Sequence, residues 1–261
     1  MGHLISIITV TYNASSTVET TLRSIAKQTW TDYEHIIVDG ASTDDTLQKV
    51  NAITTNNQRV ISEPDNGLYD AMNKGIDMAK GEYLLFLNAG DAFHSPDTLS
   101  HIASAIISNN RPGIVYGQTD IVDSNGRFIT ERHLRAPEHL SYESFAEGMV
   151  VCHQAFVALA RIVEPFDLTY KFSADYEWCI RCLQHSRKNV YVDETLIDYL
   201  RDGMSTANRR KSLFERFRIM CYYYGTIPTI RRHMHFAQRF LKHRAKERDS
   251  IKNIEIQNTK S

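Results

Sequence analysis

Four short apolar runs, each closed by polar residues and followed by a stretch of helical period, constrain this chain more than any other feature. Leu4 to Val10 (LISIITV) is β-branched and reads as a buried strand, followed by Thr11-Tyr12-Asn13. Ser15 and Ser16 then cap a helix running to about Gln28. A second strand over 35–38 ends at Asp39-Gly40, and Ser42, Thr43, Asp44 and Asp45 open the next helix. RVISEPD (59–65) is a third strand, broken by Pro64. YDAMNKGIDMAKG reads as a helix with Ala71, Ile76 and Ala79 inward, stopped by Gly81. EYLLFLNAGDAF carries the fourth strand, which stops at Asn88-Ala89-Gly90-Asp91. Ser95-Pro96-Asp97 starts a helix over about 96–109.

Alternation at this spacing predicts βαβ units, an α/β fold and a parallel sheet. Ligands of such sheets bind outside the carboxyl ends of the strands. The polar strand ends fall there: Thr11 and Asn13, Asp39, Glu63 and Asp65, Asn88 and Asp91. No phosphate-binding G-x-x-x-x-G-K-[ST] or G-x-G-x-x-G follows the first strand. An acidic rim repels phosphates unless a cation intervenes, and Mg²⁺ is commonly held by one or two carboxylates together with substrate phosphates. Asp91, on a glycine hinge, is the expected holder of such a cation against a diphosphate.

After residue 110 the pattern changes. GIVYGQTDIVD and RFITERHL read as strands mixed with the parallel ones, and VVCHQAFVALA as another. FSADYEWCIRCLQH is helical, NVYVDETLIDYL is a strand, and two helical stretches split by Pro228 follow Asn208. No segment approaches the roughly 18 uninterrupted apolar residues of a membrane-spanning helix. Met1-Gly2-His3 runs straight into a strand pattern without a signal-peptide shape, and the 4 cysteines form no disulfide-framework spacing. The expected compartment is the cytoplasm. Charge is uneven: a surplus of about ten positive charges follows Ala207, and about eleven negative charges precede it. The sequence predicts an α/β domain over 1–206, which the resemblance described next makes the catalytic one, a basic helical extension over 207–248 and a disordered tail over 249–261.

SIITVTYN, IIVDGASTDDT, SEPDNGLYDAMNKGIDMAKGEYLLFLNAGD, CHQAF, YKFSADYEW and RDGMST, in that order, resemble bacterial family 2 glycosyltransferases of the GT-A fold. The likeness is greatest to the branch that builds exopolysaccharide, colanic-acid-type and O-antigen repeat units, and it spans about residues 4–206. The resemblance implies a Rossmann-like mixed sheet, mainly parallel and flanked by helices. It divides the catalytic domain into a nucleotide-sugar half (1–110) and an acceptor half (111–206). It implies an inverting hexosyl transfer from a nucleotide-diphosphate sugar, most often a UDP-sugar, to a glycan or polyprenyl-linked acceptor. Thr11, Tyr12 and Asn13 then lie beside the donor nucleotide, Asp39 hydrogen-bonds the nucleobase, and Asp70, Asn73 and Lys74 border the donor. Asn88 to Asp91 match the Asp-x-Asp region that holds Mn²⁺ or Mg²⁺, and Asp175 matches the acid that deprotonates the acceptor. Two departures stand out. FLDADD, common in such enzymes, is FLNAGD here, and Gly40 stands where a second acid usually follows Asp39.

Other readings compete residue by residue. Asp175 also suits the first turn of a helix, where an acid meets the dipole favourably. Glu177 is the alternative base, but helical geometry turns it roughly 200° away. His153 and Gln154 suit acceptor or phosphate binding, or a buried structural histidine. Cys179-x-x-Cys182-x-x-His185 has the look of a metal clip, yet inside an amphipathic helix it is expected to pack in the core. The basic tail suits an anionic membrane surface at the inner leaflet or a solvated helix face. Without a base-reading motif, no nucleic-acid partner is expected. The rival functions are a sugar-nucleotide nucleotidyltransferase, which would need a Gly-rich basic loop after the first strand, and a non-catalytic carbohydrate-binding relative.

Overall fold

The computed structural model describes residues 2–201 and 208–234. The part of RDGMST beyond Arg201, the extension from 235 and the tail over 249–261 lie outside the described residues. The chain runs β1 (Ile5–Thr11), α1 (Val18–Ala26), β2 (Tyr33–Asp39), α2 (Thr46–Ala52), β3 (Gln58–Ser62), α3 (Leu68–Met78), β4 (Tyr83–Phe86), β5 (Ala92–Phe93) and α4 (Thr98–Ser108). Then follow β6 (Ile114–Val122), β7 (Phe128–Glu131), β8 (Phe156–Leu159), α5 (Ala174–His185), β9 (Asn189–Leu200) and α6 (Arg209–Tyr224). All nine strands join one sheet in the order β3-β2-β1-β4-β8-β6-β9-β5, with β7 on β6.

The expected parallel half is present. β1 pairs in parallel with β2 and β4, and β2 with β3. Every residue of β1, β2 and β4 is buried, as strands covered on both faces are, and the polar Glu34, His35 and Asp39 of β2 are each hydrogen-bonded. Register brings Thr11 opposite Asp39 and Asp39 opposite Ser62, so three strands end level. Beyond β4 the sheet is mixed: β8 is antiparallel to β4 and β6, while β6 and β9 run parallel.

Three elements differ from expectation. VVCHQAFVALA is not one strand: residues His153–Ala155 form a 3₁₀ turn and only Phe156–Leu159 pairs. The turn aims His153 and Gln154 at the strand ends instead of at alternate sheet faces. β5 was not foreseen. It has only two residues, too few to show a period, and exists because Ala92 and Phe93 meet Asp198 and Ile197 of β9. The last helical stretches break at Gly225, not at Pro228. Gly225 takes φ 86°, a left-handed value natural to glycine, and Pro228 falls in the first turn of the helix over 226–234, where a missing N–H is harmless.

A cluster of rings sets the position of α5 and α3. Trp178 stacks on Phe166 (5.1 Å between centroids), Phe86 of β4 meets Trp178 edge-on (5.5 Å), and Tyr69 of α3 stacks on Phe166 (5.6 Å). Each such pair contributes about 0.5–1.5 kcal/mol beyond its area. Cys179 and Cys182 pack in the core as buried thiols within α5, whereas His185 is exposed at the end of that helix, and all 4 cysteines are free. Two compact units divide at Arg216 and Phe217, within α6. Among the described residues, no helix is long and apolar enough to cross a membrane.

Candidate active site

A cavity of about 390 Å³ opens at the carboxyl ends of the parallel strands. Thr11, Tyr12, Asp65, Tyr69, Asn88 and Asp91 line it from the first half of the chain. His153, Gln154, Asp175 and Leu200 close it from the second.

Asp91 owes its place to the turn after β4. Gly90 takes φ 107° and donates its N–H to Thr21 Oγ1 at 2.9 Å. Asp91 is thereby carried into the wall, where Oδ2 accepts from Gln154 Nε2 (2.7 Å) and Oδ1 from the Leu200 N–H (3.0 Å). Burial pushes its carboxyl up to about 6, against the opposing pull of Leu200, Gln154 and His153.

Asp175 sits in the first turn of α5 and reaches the same cavity. Its Oδ1 accepts from the Tyr69 hydroxyl (3.0 Å), and Oδ2 lies 3.3 Å from His153 Nδ1. Burial raises its carboxyl, but His153, Arg216 and Tyr69 outweigh burial and bring it down to about 2. Asn88 Nδ2 lies 3.4 Å from the other ring nitrogen of His153. Glu177 is turned away from this cavity and binds Arg181 at 2.8 Å.

The remaining expected donor residues lie outside the cavity lining. Asp39 is fully buried, its carboxylate accepting from the Ser42 N–H (2.9 Å), the Ser42 hydroxyl and the Ser62 hydroxyl (2.7 Å). Asn13 accepts from the Thr43 N–H at 2.9 Å, so it and Asp39 shape the β1 and β2 loops. Asp70 accepts from the Asn66 N–H, and Lys74 pairs with Glu63 at 2.7 Å. Asn73 clips α3 to Phe166 through two backbone bonds of 2.7 and 3.0 Å. Gly40 has a steric reason: a Cβ there would collide with the Asp65 carboxylate. Leu68, Tyr199 and Leu200, which sequence reasoning missed, line the cavity through tertiary placement alone.

Two oxygens of this wall, Thr11 Oγ1 and Asn88 Oδ1, are buried without a protein partner. Such atoms are expensive to leave unmade, and a bound ligand would complete them. Hard divalent cations take oxygen ligands, and a carboxylate has about four acceptor sites, of which two are used on Asp91. Asp91 therefore fits Mn²⁺ or Mg²⁺. His94, Asp120 and Asp198 form a separate group whose ligand atoms lie within 4.8 Å of one another, and none of the three lines the cavity.

The fold and this rim define a GT-A-type α/β transferase, and residues 6–164 match the model of Glycosyl transferase family 2. The chain belongs to that family. It is 36% identical over 192 residues to a PGL/p-HBAD biosynthesis glycosyltransferase of Mycobacterium bovis, covering 70% of each chain. It is 31% identical over 213 residues to the amylovoran biosynthesis glycosyltransferase AmsB of Erwinia amylovora, covering 74% of this chain and 68% of that one. Its fold superposes on S. aureus TarS 1–349 in complex with UDP-GlcNAc with a TM-score of 0.69 at 21% identity, covering 85% of this chain and 66% of that one.

Proposed function

We propose that this family 2 glycosyltransferase moves a hexose, with inversion, from a UDP-sugar to a glycan or polyprenyl-linked acceptor in surface-polysaccharide synthesis. The observation that carries the reading is the meeting, in one cavity, of the β4 turn (Asn88, Asp91) with acid–base groups of the second half (His153, Asp175). The amylovoran relative and the UDP-GlcNAc-bound structural neighbour support the acceptor class and the donor class. A nucleotidyltransferase would need a basic Gly-rich loop after β1, where this chain has TVTYNASS.

Asp91 would hold Mn²⁺ or Mg²⁺, which when bound offsets the charge that builds on a departing diphosphate. Thr11 offers its unpaired hydroxyl to the donor. Tyr12, exposed at the rim, offers a ring face to a base. Asp39 acts through the loop it organises, holding Ser42 and Asn13 in place beside the nucleoside. Asp175 is required to remove the proton of the incoming hydroxyl, on the side of the cavity supplied by the later segment.

The basic extension suits peripheral binding at the inner leaflet of a membrane. Leu213 and Phe214 are exposed beside Arg210 and Lys211, and in the second unit Ile227, Ile230 and Met234 are exposed near Arg231. The reading is tested by thermal shift with UDP-, GDP- and dTDP-sugars, with and without Mn²⁺, followed by donor hydrolysis. UDP-sugars should stabilise most, and only with the metal. Stabilisation by none of them rejects the donor assignment.

A further inference from the structure

We infer that the chain carries a second anion-binding site, on the opposite rim of the sheet from the candidate active site, suited to a diphosphate or a phosphate monoester. A cavity of about 650 Å³ opens there, larger than the one at the carboxyl ends of the parallel strands. Arg111, Arg161, Arg187 and Lys188 line it together with His185, and none of its described lining residues is acidic. It lies where β8 ends and where β6 and β9 begin, at Leu159, Gly113 and Lys188. Leu159 pairs with Tyr83 at the start of β4, whereas Asn88, just past the other end of β4, lines the active cavity. The chain from Tyr83 to Asn88 spans roughly 17 Å at the rise of a strand.

Local geometry gathers these charges. Asn110 and Arg111 take φ 57° and 54° and turn the chain sharply from α4 into β6, which leaves Arg111 in the cavity wall. A Cβ at Gly113 would collide with Ser186, so glycine lets the loop before β9 come this close. That loop is tied in place: the Gly113 N–H donates to the Lys188 carbonyl (2.9 Å), and Lys188 Nζ donates to Asn109 Oδ1 (3.0 Å). Arg187 and Lys188 are thereby held in the same cavity as Arg111 and Arg161. Burial and Glu82 push the Tyr83 phenol up to about 12, against the pull of both Arg111 and Arg161, so the two guanidinium groups act on one point.

The charge does not cancel within the protein. Glu82 offsets Arg111 at 2.7 Å. Arg161 and Arg187 have no ion pair with a carboxylate among the described residues, and Lys188 is hydrogen-bonded to the uncharged Asn109. Of the four cations one is thus matched, and three are left lining a concave space. Like charges gathered there repel one another, and a bound polyanion relieves that repulsion. A guanidinium fork fits phosphate oxygens two at a time, and an ammonium serves as a point charge beside it. The volume falls within the about 300–1,000 Å³ of small-molecule sites. Two adjacent phosphates bring about as much negative charge as the unmatched cations bring positive. On the acceptor reading above, the ligand is a free solute and not a lipid headgroup. The two cavities open at opposite ends of the strands, so a bilayer against this rim would leave the transfer site facing away from a membrane-linked acceptor.

The test uses the full chain in buffer with EDTA, which removes binding through a cation at Asp91. Calorimetry with inorganic diphosphate should give a Kd below about 1 mM, and inorganic phosphate should bind at least about tenfold more weakly. R161Q/R187Q should weaken diphosphate binding by about 10–100-fold, because each exchange removes a charge-assisted contact. Both side chains are exposed, so this variant should keep the wild-type Tm and the wild-type affinity for UDP with Mn²⁺. R23Q/R127Q, which changes exposed arginines outside the cavity, should leave diphosphate affinity at the wild-type value. Sedimentation with phosphatidic acid vesicles separates the two sources of phosphate. Vesicle binding equal in wild type and R161Q/R187Q supports the free solute. Vesicle binding lost in that variant and displaced by free diphosphate overturns the solute in favour of a lipid phosphomonoester. No heat with diphosphate at about 10 mM, undiminished binding by R161Q/R187Q, or an equal loss in R23Q/R127Q overturns the site itself. A wild-type protein that fails to bind UDP with Mn²⁺ counts against the donor assignment and not against this site, whose binding is read without metal.

Discussion

Asp91→Asn isolates the charge of the β4 turn while keeping its shape. Asp91 is buried, and its carboxyl is raised to about 6. The gap from an ordinary value of about 3.9 corresponds to ~3 kcal/mol. The sign follows from which state holds the proton. Between pH 4 and 6 the folded protein binds a proton that the unfolded chain has released, so stability falls as pH rises and is lowest above 6. Asparagine removes that penalty. It keeps an acceptor for the Leu200 N–H but presents an amide to Gln154 Nε2, a loss of about 1 kcal/mol. The net expectation at pH 8 is a gain of about 1–2 kcal/mol, a Tm higher by a few degrees, and a flatter Tm profile between pH 4 and 6. Calorimetry with UDP and Mn²⁺ should show affinity at least tenfold weaker. A carboxylate retained at a cost to stability would thus be shown to serve the ligand. Wild-type Mn²⁺-dependent affinity in the variant, or a lower Tm with the pH dependence intact, refutes the reasoning. Asp91→Ala is the poorer probe, because it strands the Leu200 N–H and Gln154 at about 1–3 kcal/mol each.

Further outcomes follow from the same geometry. Asp39→Ala leaves Ser42 and Ser62 donors unmet and should destabilise by about 2–4 kcal/mol in thermal unfolding; uridine binding without metal should weaken in parallel, and unchanged uridine affinity would separate the loop from the nucleoside. Tyr69→Phe removes one hydrogen bond to Asp175 but preserves the stack on Phe166, so turnover should fall about three- to tenfold with UDP affinity constant. Exchange of Lys211, Arg218 and Arg231 for glutamine should weaken sedimentation with anionic vesicles by about 100-fold at low salt, at about 1 kcal/mol per charge; binding equal to wild type would reject the membrane role. Truncation after Ala207 would be a harsher test, since Glu215 accepts from the Lys171 and Phe172 backbone.

Much of the architecture was legible in the sequence. β1 to β4 and the helices between them lie within a few residues of their expected places, because apolar period and turn residues are local signals. The family likeness also singled out Asp91 and Asp175, which do line one cavity. Asp39 ends β2 as expected, while its burial and its contacts with Ser42 and Ser62 depend on a neighbouring loop and strand that the β2 pattern alone does not reveal.

What the chain by itself determined is the order of strands and the polar character of their ends, since both depend on residues adjacent in sequence. Tertiary structure decided which of those ends face a common space. Tyr69, Asn88, His153 and Asp175 form one hydrogen-bonded line across 106 positions of chain, and no spacing rule connects them. β5 exists only because β9 returns beside it, and Asp91 finds Leu200 and Gln154 by that same return. Such contacts depend on how separate elements pack, so their geometry is absent from any local stretch of the sequence.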